Sequence, residues 1–368
     1  MGQIHKMKIG ILGSRGIPNN YGGFEQFAEY LSEGLVNEGY KVVVYNPHNH
    51  IYQEKKWHGV HIIYKYNPEK KLGVLGQFIY DFLCIISIRK EKFDIIFQLG
   101  YTSSSLWGYL LPSNAVVVTN MDGLEWKRSK YSLYAQYFLK LAEKLAIKTS
   151  NYLVADSICI QEYLKKYDKP VVFIPYGAVP VEKFDEEVLQ DYNLKANQYY
   201  IVIARIEPEN NIDLILSAFV KSNTIKKIVI VGHMNRNKYG NYIQKKYLKF
   251  ENIIFLGGIY DIHILNMLRH YAIIYFHGHS VGGTNPSLLE AMSSKVYIAA
   301  HNNEFNRAIV EDDGLYFSSE MDIVNIIKTE DLLFNKKMVE NNFEKIKEQY
   351  NWQQIVKSYD NFFKNIMK

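Results

Sequence analysis

Short apolar runs alternate with amphipathic segments along the whole chain, and each run has about the length of a buried strand. Before residue 175 the runs are residues 7–12, 41–45, 60–64, 94–98, 115–119, 152–155 and 171–174. The amphipathic segments between them include the helix that begins at Phe24 and residues 72–88 and 130–150. Because such alternation favours parallel strands covered by helices on both faces, the pattern predicts an α/β protein with a doubly wound sheet.

The alternation is interrupted once, at residues 175–180, which contain two prolines and a glycine. The later strand candidates are residues 199–204, 227–231, 253–256, 272–276, 296–299 and 314–317. The later helix candidates are residues 212–220, 261–271, 287–292, 323–327, 331–350 and 352–367. We therefore predict two Rossmann-like domains, residues 1–175 and 182–350, with a hinge that places a cleft between them.

Length and composition agree with a two-domain soluble protein. The chain has 368 residues, of which 48% are hydrophobic and 22% charged. Cys84 and Cys159 show no paired spacing, so we expect neither a disulfide nor a zinc site. The first residues lack a signal-peptide core, and the most apolar helix candidate, residues 72–88, is too polar for a membrane span. These features predict a cytoplasmic location.

Charge is distributed unevenly between the two halves. Residues 1–175 carry a net charge of +6, whereas residues 176–368 carry −1. A basic first half suits an anionic partner such as lipid headgroups or a lipid pyrophosphate, and an ordinary solvated surface is an equal alternative. The lysines are scattered without a basic and aromatic recognition pattern, so we expect no nucleic-acid partner.

Residues 276–291 contain the clearest candidate chemistry. They follow the apolar run 272–276 and lead through a Gly-Gly turn into the helical segment 287–292. Ligands bind at the carboxyl ends of parallel strands, and a helix amino terminus there offers N–H groups and a positive dipole end to an anion. A phosphate-bearing substrate fits this arrangement. Glu290, one turn further along, is placed for a sugar hydroxyl.

Two other strand ends carry polar residues. Gly13 and Gly16 begin a glycine-rich loop, but the spacing Gly-x-Gly-x-x-Gly is absent, which argues against a nicotinamide cofactor. Arg15 in that loop is a candidate phosphate contact or a solvated side chain.

Asp122 and Glu125 follow the run 115–119 and are candidates for acid–base chemistry or for binding a hydroxyl; Asp122 is equally compatible with a simple turn.

The string Gly-His-Ser-Val-Gly-Gly-Thr-Asn-Pro-Ser-Leu-Leu-Glu-Ala-Met resembles the signature of retaining nucleotide-sugar glycosyltransferases of family 4, which have the GT-B fold. In that family two glutamates eight positions apart precede an Ala-Met helix. The resemblance implies that Glu290 binds the ribose of the donor nucleotide. Gly282 stands at the position of the first glutamate, so the contact that this residue makes to the donor sugar is missing or supplied elsewhere.

The family resemblance extends to other residues. Gly22 and Gly23, followed by Glu25, resemble the start of the first helix, where the glycines approach the donor diphosphate and the acceptor. Arg205 matches an arginine that binds the diphosphate, whereas Asn210 replaces the matching lysine and leaves a neutral hydrogen bond about half as strong.

In GT-B enzymes the last helix crosses back onto the first domain. An apolar stripe of Trp352, Ile355, Tyr359 and Phe362 in residues 351–368 is suited to this, and the same spacing is typical of any core helix.

The closest resemblance is to a bacterial subgroup that includes rhamnosyltransferases of surface-polysaccharide assembly. It covers the Gly-His-Ser-Val string, the asparagine at position 210 and the string Asp-Gly-Leu-Glu-Trp-Lys-Arg at residues 122–128. The subgroup implies dTDP-L-rhamnose as donor, with UDP-sugars as alternatives. It also implies a polyprenyl-pyrophosphate-linked saccharide as acceptor, and hence a peripheral position at the inner face of the membrane. Asp122 would contact the donor sugar or accept the acceptor's proton, with Glu125 on the acceptor side.

The expected mechanism uses neither metal nor cofactor. The chain contains no Asp-x-Asp pair of the kind that metal-dependent glycosyltransferases use. We expect the leaving diphosphate to be stabilised by Arg205, by His279 as a hydrogen-bond donor, and by backbone N–H groups. The residues expected to supply these groups are Gly283, Thr284, Asn285 and Ser287. Two rivals stay open: a non-catalytic nucleotide-sugar-binding protein, and a GT-B epimerase that acts on a UDP-sugar.

Overall fold

The computed structural model describes residues 6–128 and 130–368, so residues 1–5 of the predicted first domain lie outside the described part. Contacts divide the chain into two compact units. The first unit comprises the residues up to Lys127, Tyr131–Tyr176 and Trp352–Lys368. The second unit comprises Arg128–Lys130 and Gly177–Asn351.

A parallel sheet forms the centre of the first unit. Its strands are β1 (Lys8–Leu12), β2 (Lys41–Pro47), β3 (Lys56–Trp57), β4 (Val60–Lys65), β5 (Ile95–Leu99), β6 (Val116–Asn120), β7 (Tyr152–Ala155) and β8 (Val171–Phe173). Their order is β3-β4-β2-β1-β5-β6-β7-β8, and only the β3–β4 pair among these described strands is antiparallel. The helices before the second unit are α1 (Gly23–Asn37), α2 (Glu69–Leu72), α3 (Val74–Ile88), α4 (Leu133–Thr149) and α5 (Ile158–Leu164).

The second unit has a second parallel sheet. Its strands are β9 (Tyr199–Ile203), β10 (Lys227–Val231), β11 (Ile253–Gly257), β12 (Ile274–His277), β13 (Tyr297–His301) and β14 (Leu315–Phe317). Its helices are α6 (Ile212–Ser222), α7 (Lys238–Tyr247), α8 (Ile262–His270), α9 (Pro286–Ser293), α10 (Glu304–Val310), α11 (Glu320–Lys328), α12 (Glu330–Leu333) and α13 (Lys336–Glu348). The order β11-β10-β9-β12-β13-β14 reverses direction between β9 and β12, and this reversal marks the edge where a ligand is expected.

Helix α14 (Trp352–Ile366) belongs to the first unit although it follows the second in sequence. Trp352 stacks on Tyr30 of α1 with ring centroids 4.7 Å apart, and Tyr359 lies 5.7 Å from Phe27. The buried Tyr40 hydroxyl donates to the Asp360 carboxylate at 2.8 Å. The apolar stripe of this helix therefore packs on α1 as part of the core of the first unit.

Some element boundaries differ from the expectations. Residues 331–350 were predicted as one helix, but the chain breaks between α12 and α13, where the Asn335 side chain caps α13 by accepting from Lys337 N. The short helices α2, α5, α7 and α10 and strand β3 were not predicted. Among the described residues, no helix combines the length and apolar character needed to cross a lipid bilayer.

Candidate functional site

Two loops follow the strands that flank the reversal in the second sheet. The β9 loop, residues 204–211, follows β9, and the β12 loop, residues 278–285, follows β12. Strands β9 and β12 are parallel neighbours, so both loops leave the same edge of the sheet. Most of the donor-binding residues predicted for this half lie in these loops or in the helix that follows the second one.

The backbones of the two loops are in direct contact. Asn211 donates its side-chain N–H to the Gly278 carbonyl at 2.7 Å, and Ser280 N donates to the Glu209 carbonyl at 3.0 Å. A Cβ atom at Gly278 would lie only 2.0 Å from the Asn210 carbonyl oxygen. This close approach requires glycine and brings His279 beside Asn210.

Both polar atoms of the buried Asn210 amide form hydrogen bonds within the protein. Its Nδ2 donates to the Arg205 carbonyl at 2.7 Å, so its Oδ1 points to His279 Nδ1, also at 2.7 Å. The side chain that was predicted to bind the diphosphate therefore positions His279. The Arg205 guanidinium remains 62% exposed, and its nearest recorded carboxylate, Glu207, is 3.9 Å away.

This network assigns the protonation of His279. Because Asn210 Oδ1 can only accept, His279 Nδ1 carries the hydrogen and Nε2 carries a lone pair. Burial, followed by the neighbouring His277, Arg128 and Arg205, holds the pKa of His279 well below its usual range. At neutral pH Nε2 is therefore a hydrogen-bond acceptor, which differs from the expectation that His279 donates to the leaving diphosphate.

His277 is the other histidine at this edge. It is buried, with Nδ1 3.2 Å from the Tyr275 hydroxyl. Burial, with the charges of Arg269 and His301, lowers its pKa to about 3. Both histidines are thus neutral under ordinary conditions.

Gly282 lies in the left-handed region, with φ of +122°. A Cβ atom there would stand 3.3 Å from His279 Nε2 and 4.0 Å from Arg128 Nη2. The position matched to the family's first glutamate thus faces a neutral acceptor nitrogen and a guanidinium. Gly283 is half-buried and Thr284 is buried in the same loop.

The first turn of α9 is capped by the chain itself. Asn285 is the N-cap residue, and its side chain accepts from Ser287 N at 2.9 Å. Its carbonyl accepts from Leu288 N at 3.0 Å and from Leu289 N at 3.3 Å, and Pro286 has no N–H. The predicted use of the Ser287 N–H for the diphosphate is therefore not supported, whereas the positive end of the helix dipole still faces the loop.

Glu290 is held by a buried arginine. Arg269, with no exposed surface, donates through Nη2 to the Glu290 carboxylate at 2.5 Å and to Ser287 Oγ at 3.2 Å. The Ser287 hydroxyl also lies 2.8 Å from the Tyr275 hydroxyl, so this side chain points inward. The Glu290 side chain remains 16% exposed. Arg269 therefore orients the carboxylate that was predicted to bind the ribose.

A second group of charges surrounds the β9 loop. Lys130 Nζ lies 3.1 Å from Glu207, and the Glu209 carboxylate is 3.7 Å from both Lys130 Nζ and Arg128 Nη1. Glu209 is 3% exposed, and its carboxylate oxygens accept no hydrogen bond from a described donor. Burial and the neighbouring Glu207 raise the pKa of Glu209, whereas Arg205 and Lys130 lower that of Glu207 although burial opposes them.

The first unit places Arg15 and Glu25 in one loop-to-helix junction. The Arg15 guanidinium pairs with Glu69 at 2.5 Å and lies 4.0 Å from the centre of the Tyr21 ring. The Glu25 carboxylate is buried and accepts from Arg15 N at 2.7 Å. Both side chains therefore hold the loop in shape, a role that differs from the predicted phosphate contact and acceptor contact.

The backbone of this loop requires glycine at two positions. Gly13 and Gly16 have φ of +95° and +98°, and a Cβ atom at Gly13 would lie 2.3 Å from the Leu99 carbonyl. Gly22 instead has an extended φ of −175°, where any residue fits, and Gly23 begins α1. The predicted roles of Gly22 and Gly23 toward a donor stay predictions.

Asp122 and Glu125 lie beyond the end of β6. Asp122 adopts a positive φ of 46°, and its N–H donates to the Asn120 side chain at 2.9 Å. Glu125 begins a short 3₁₀ turn, with its N–H 3.3 Å from the Tyr101 hydroxyl. Both are half-buried. An uncommon backbone conformation at a strand end is frequent in functional sites.

Sequence reasoning missed Arg269, Glu209, Arg128 and Lys130. Arg269 could have been recognised because it shares the buried face of α8 with Leu265 and Leu268. Glu209 had a weaker signal, as one of two acidic residues that follow a predicted strand. No group of three or more His, Cys, Asp or Glu side chains in the described ranges is placed to hold a metal ion.

Two family models match successive parts of the chain. Residues 6–179 match a Domain of unknown function, DUF1972, and residues 185–362 match the family Glycosyl transferases group 1. An uncharacterized glycosyltransferase of Methanocaldococcus jannaschii, MJ1069, is 24% identical over 407 residues, covering 99% of this chain and 100% of that protein.

Solved structures resemble the chain over almost its full length. A sucrose-phosphate synthase from Thermosynechococcus elongatus has a TM-score of 0.79 at 16% identity, covering 98% of this chain and 99% of the other. Anabaena HepE in complex with UDP-glucose has a TM-score of 0.75 at 14% identity, covering 98% and 100%. At this identity the likeness shows the fold alone.

The two parallel-sheet α/β units define the GT-B fold, and the predicted fold class is confirmed. Residues 185–362 also match a glycosyltransferase family, and this match supports the assignment of the protein as a glycosyltransferase with this fold.

Proposed function

We propose that the protein transfers a sugar from a nucleoside-diphosphate donor to a saccharide hydroxyl, with the donor bound at the β9 and β12 loops. The observation that carries this proposal is the placement of exposed Arg205, neutral His279 and Arg269-bound Glu290 in the two loops or in the helix that follows them, at one edge of the second sheet. A guanidinium suits a diphosphate, and a fixed carboxylate suits the hydroxyls of a ribose.

The comparisons support the class of donor. The group 1 glycosyltransferase match covers the part of the chain that contains both loops, and HepE, which shares the fold, forms a complex with UDP-glucose. Sequence resemblance narrows the proposal to dTDP-L-rhamnose as donor and to a retaining, metal-independent reaction. It also indicates a polyprenyl-pyrophosphate-linked acceptor for a bacterial surface polysaccharide, at the cytoplasmic face of the membrane.

Each proposed role follows from the chemistry of the side chain. Arg205 stabilises the departing diphosphate, and Glu290 binds the ribose. Asp122 contacts the donor sugar or takes the proton of the acceptor hydroxyl. His279, with its neutral Nε2, accepts a hydrogen bond from a sugar hydroxyl.

A donor screen tests the proposal. Purified protein is incubated with dTDP-L-rhamnose, UDP-glucose and other UDP-sugars, with and without saccharide acceptors, and free nucleotide and sugar products are measured. Glycosyl transfer predicts nucleotide release that an acceptor accelerates. Nucleotide binding without turnover of any donor would favour the non-catalytic alternative, and an altered nucleotide-sugar formed without acceptor would favour an epimerase.

The Arg205→Ala variant tests the leaving-group role. We expect transfer to slow by about 10²–10³-fold, the effect of removing one preorganised donor at a developing charge. Arg307→Ala is the matched control, because Arg307 is an exposed arginine of the same unit that donates to Asn302 at 2.6 Å. Equal rates for the two variants would remove Arg205 from the site.

A further inference from the structure

We propose that one face of the first unit, formed by α3, α4 and the 3₁₀ segment Ser104–Leu110, binds the surface of an anionic lipid bilayer. The inference deepens the proposed function and rests on it for the presence of a membrane, because a polyprenyl-linked acceptor lies in one. The α3–α4 face is defined by six exposed apolar and aromatic side chains: Val74, Leu75, Tyr109, Leu133, Tyr134 and Tyr137.

These six side chains are unusually exposed for their type. The least exposed of them, Tyr109, shows 60% of its surface, and the most exposed, Tyr134, shows 91%. Single apolar residues are ordinary on a protein surface, whereas a contiguous group marks a contact with another molecule or with lipid. The significance of the six therefore depends on whether they adjoin.

Contacts between aromatic side chains join the three segments of the face. Phe78 of α3 and Phe138 of α4 have ring centroids 5.7 Å apart. Trp107 of the 3₁₀ segment donates through Nε1 to the Phe78 carbonyl at 2.9 Å. Near the end of α4, Lys148 Nζ lies 5.6 Å from the centre of the Tyr109 ring. The three segments are therefore direct neighbours.

The exposed side chains of both helices lie one helical turn from the contact between Phe78 and Phe138. Val74 and Leu75 precede Phe78 by four and three residues, and Tyr134 precedes Phe138 by four. The 17 residues of α4 extend over about 25 Å. The α3–α4 face is therefore one continuous surface along this helix.

The exposed charges within α3 and α4 are all positive. Lys140, Lys144 and Lys148 recur every four residues along α4 and are exposed. Asp81 and Glu143, the acidic residues of the two helices, are buried. The Glu143 carboxylate accepts hydrogen bonds from three aromatic side chains inside the unit. The face therefore presents apolar groups and cations without an exposed carboxylate from either helix.

Rings and cations lie on the same side of α4. Lys140 follows Tyr137 by three residues, and Lys144 follows exposed Leu141 by three, so each pair is adjacent on the helix surface. Tyrosine rings favour the headgroup region of a bilayer, and long lysine side chains carry their charge to its phosphates. A second copy of the same face would bring lysines against lysines, so charge complementarity favours anionic lipid as the occupant.

Sedimentation of the full chain with lipid vesicles tests the inference. Vesicles of phosphatidylcholine alone are compared with vesicles that contain about one-third phosphatidylglycerol. We expect wild type to bind the anionic vesicles more tightly than the neutral ones. This preference should be lost at about 1 M salt, where charges more than about 3 Å apart are screened.

Two double variants separate the charges from the apolar contact. Lys140→Gln with Lys144→Gln should weaken binding to the anionic vesicles by about 30-fold, from about fivefold for each lysine near an anionic surface. Tyr134→Ser with Tyr137→Ser should weaken it by about 10-fold, because two rings no longer enter the interface. A thermal unfolding scan verifies that these exposed substitutions leave the protein folded.

The matched control is Lys336→Gln with Lys337→Gln, which removes two exposed lysines from α13 of the second unit. We expect it to bind the anionic vesicles like wild type. An equal loss of binding in the control would overturn the α3–α4 face as the site of contact.

The outcomes separate this inference from the proposed function. Absence of vesicle binding by wild type would overturn the inference, whereas transfer to a soluble saccharide acceptor would leave the proposed function intact. Vesicle binding without turnover of any donor would support the lipid-binding face and contradict the proposed function. A dimer that Tyr134→Ser with Tyr137→Ser dissociates, in a protein that does not bind vesicles, would assign the face to a second copy and overturn the inference.

Discussion

The pair formed by Arg269 and Glu290 affects both the stability of the protein and the proposed binding of the donor. Arg269 is fully buried, and the Glu290 carboxylate lies 2.5 Å from its Nη2. A buried charge is tolerated only when it is paired and hydrogen-bonded. The carboxylate that we assign to the ribose is therefore also the group that balances a buried cation, and its substitution affects stability as well as donor binding.

A double-mutant cycle separates these two effects. Glu290→Gln leaves the Arg269 charge buried without its carboxylate, and we expect it to destabilise the protein by about 3–5 kcal/mol. Replacing both residues, as Arg269→Met with Glu290→Gln, removes the buried charge and should recover part of that loss. Urea unfolding measures the free energies.

The exposed pair of Lys221 and Glu320 provides the control for this cycle, since breaking it should change the free energy of unfolding by less than about 1 kcal/mol. Strictly additive effects of the two substitutions at Arg269 and Glu290 would show that their charges do not interact.

At the scale of elements, the contact of the β9 and β12 loops sets the geometry of the site. It depends on the absence of a side chain at Gly278, where a Cβ atom would meet the Asn210 carbonyl. Separating these backbones would lengthen the bond between Asn210 and His279 and would release the imidazole.

Gly278→Ala tests this dependence. We expect a loss of about 1–3 kcal/mol in unfolding free energy, as for overpacking elsewhere in protein interiors, together with weaker nucleotide binding. Gly22→Ala is the comparison, because the backbone there is extended and a Cβ atom would come no closer than 3.5 Å to its nearest recorded neighbour. Its stability should stay within about 0.5 kcal/mol of wild type. An equally stable Gly278→Ala protein would contradict the loop contact.

Hydrophobic patterning predicted the elements well where burial controls them. The runs at residues 227–231 and 152–155 coincide with β10 and β7, because a buried parallel strand needs an apolar side chain on both faces. The division of residues 331–350 was missed because Asn335 begins α13 as its N-cap, through a local hydrogen bond that periodicity does not reveal.

The site was predictable only in part, for a physical reason. Strand ends and helix starts identify loops, so the positions of His279 and Glu290 along the chain made them candidates, and Arg205 became one through the family resemblance. The partners of these residues depend on tertiary contacts. Asn210 lies 69 positions from His279, and Glu209 meets Arg128 from a distant segment. The same contacts reverse the predicted hydrogen-bonding role of the imidazole.

At the scale of the whole molecule, neutral buried histidines link stability to pH. The pKa of His277 is lowered to about 3, whereas an unfolded histidine titrates near its usual value of 6.5. Below about pH 6.5 the unfolded chain therefore binds a proton that the folded chain does not, and stability decreases as the pH falls toward 3.

His277→Gln should reduce this acid sensitivity. Between about pH 7.5 and about pH 5, wild type should lose about 2 kcal/mol of unfolding free energy through this residue, and the variant should lose correspondingly less. His58→Gln is the control, because His58 is exposed beside Glu33. Chemical unfolding at both pH values measures the difference, and parallel pH profiles for wild type and His277→Gln would contradict the assignment.

The return of α14 to the first unit determines the order in which the nascent chain can finish folding. The aromatic face of Phe27 packs against Trp352 and Tyr359, which the ribosome makes only after all of the second unit. Until residues 352–366 emerge from the ribosome, the aromatic face at Phe27 is not covered. The first unit, although its amino-terminal part is translated first, therefore completes its core after the second unit. A chain that ends before Trp352 would therefore expose an aggregation-prone aromatic surface on its amino-terminal half.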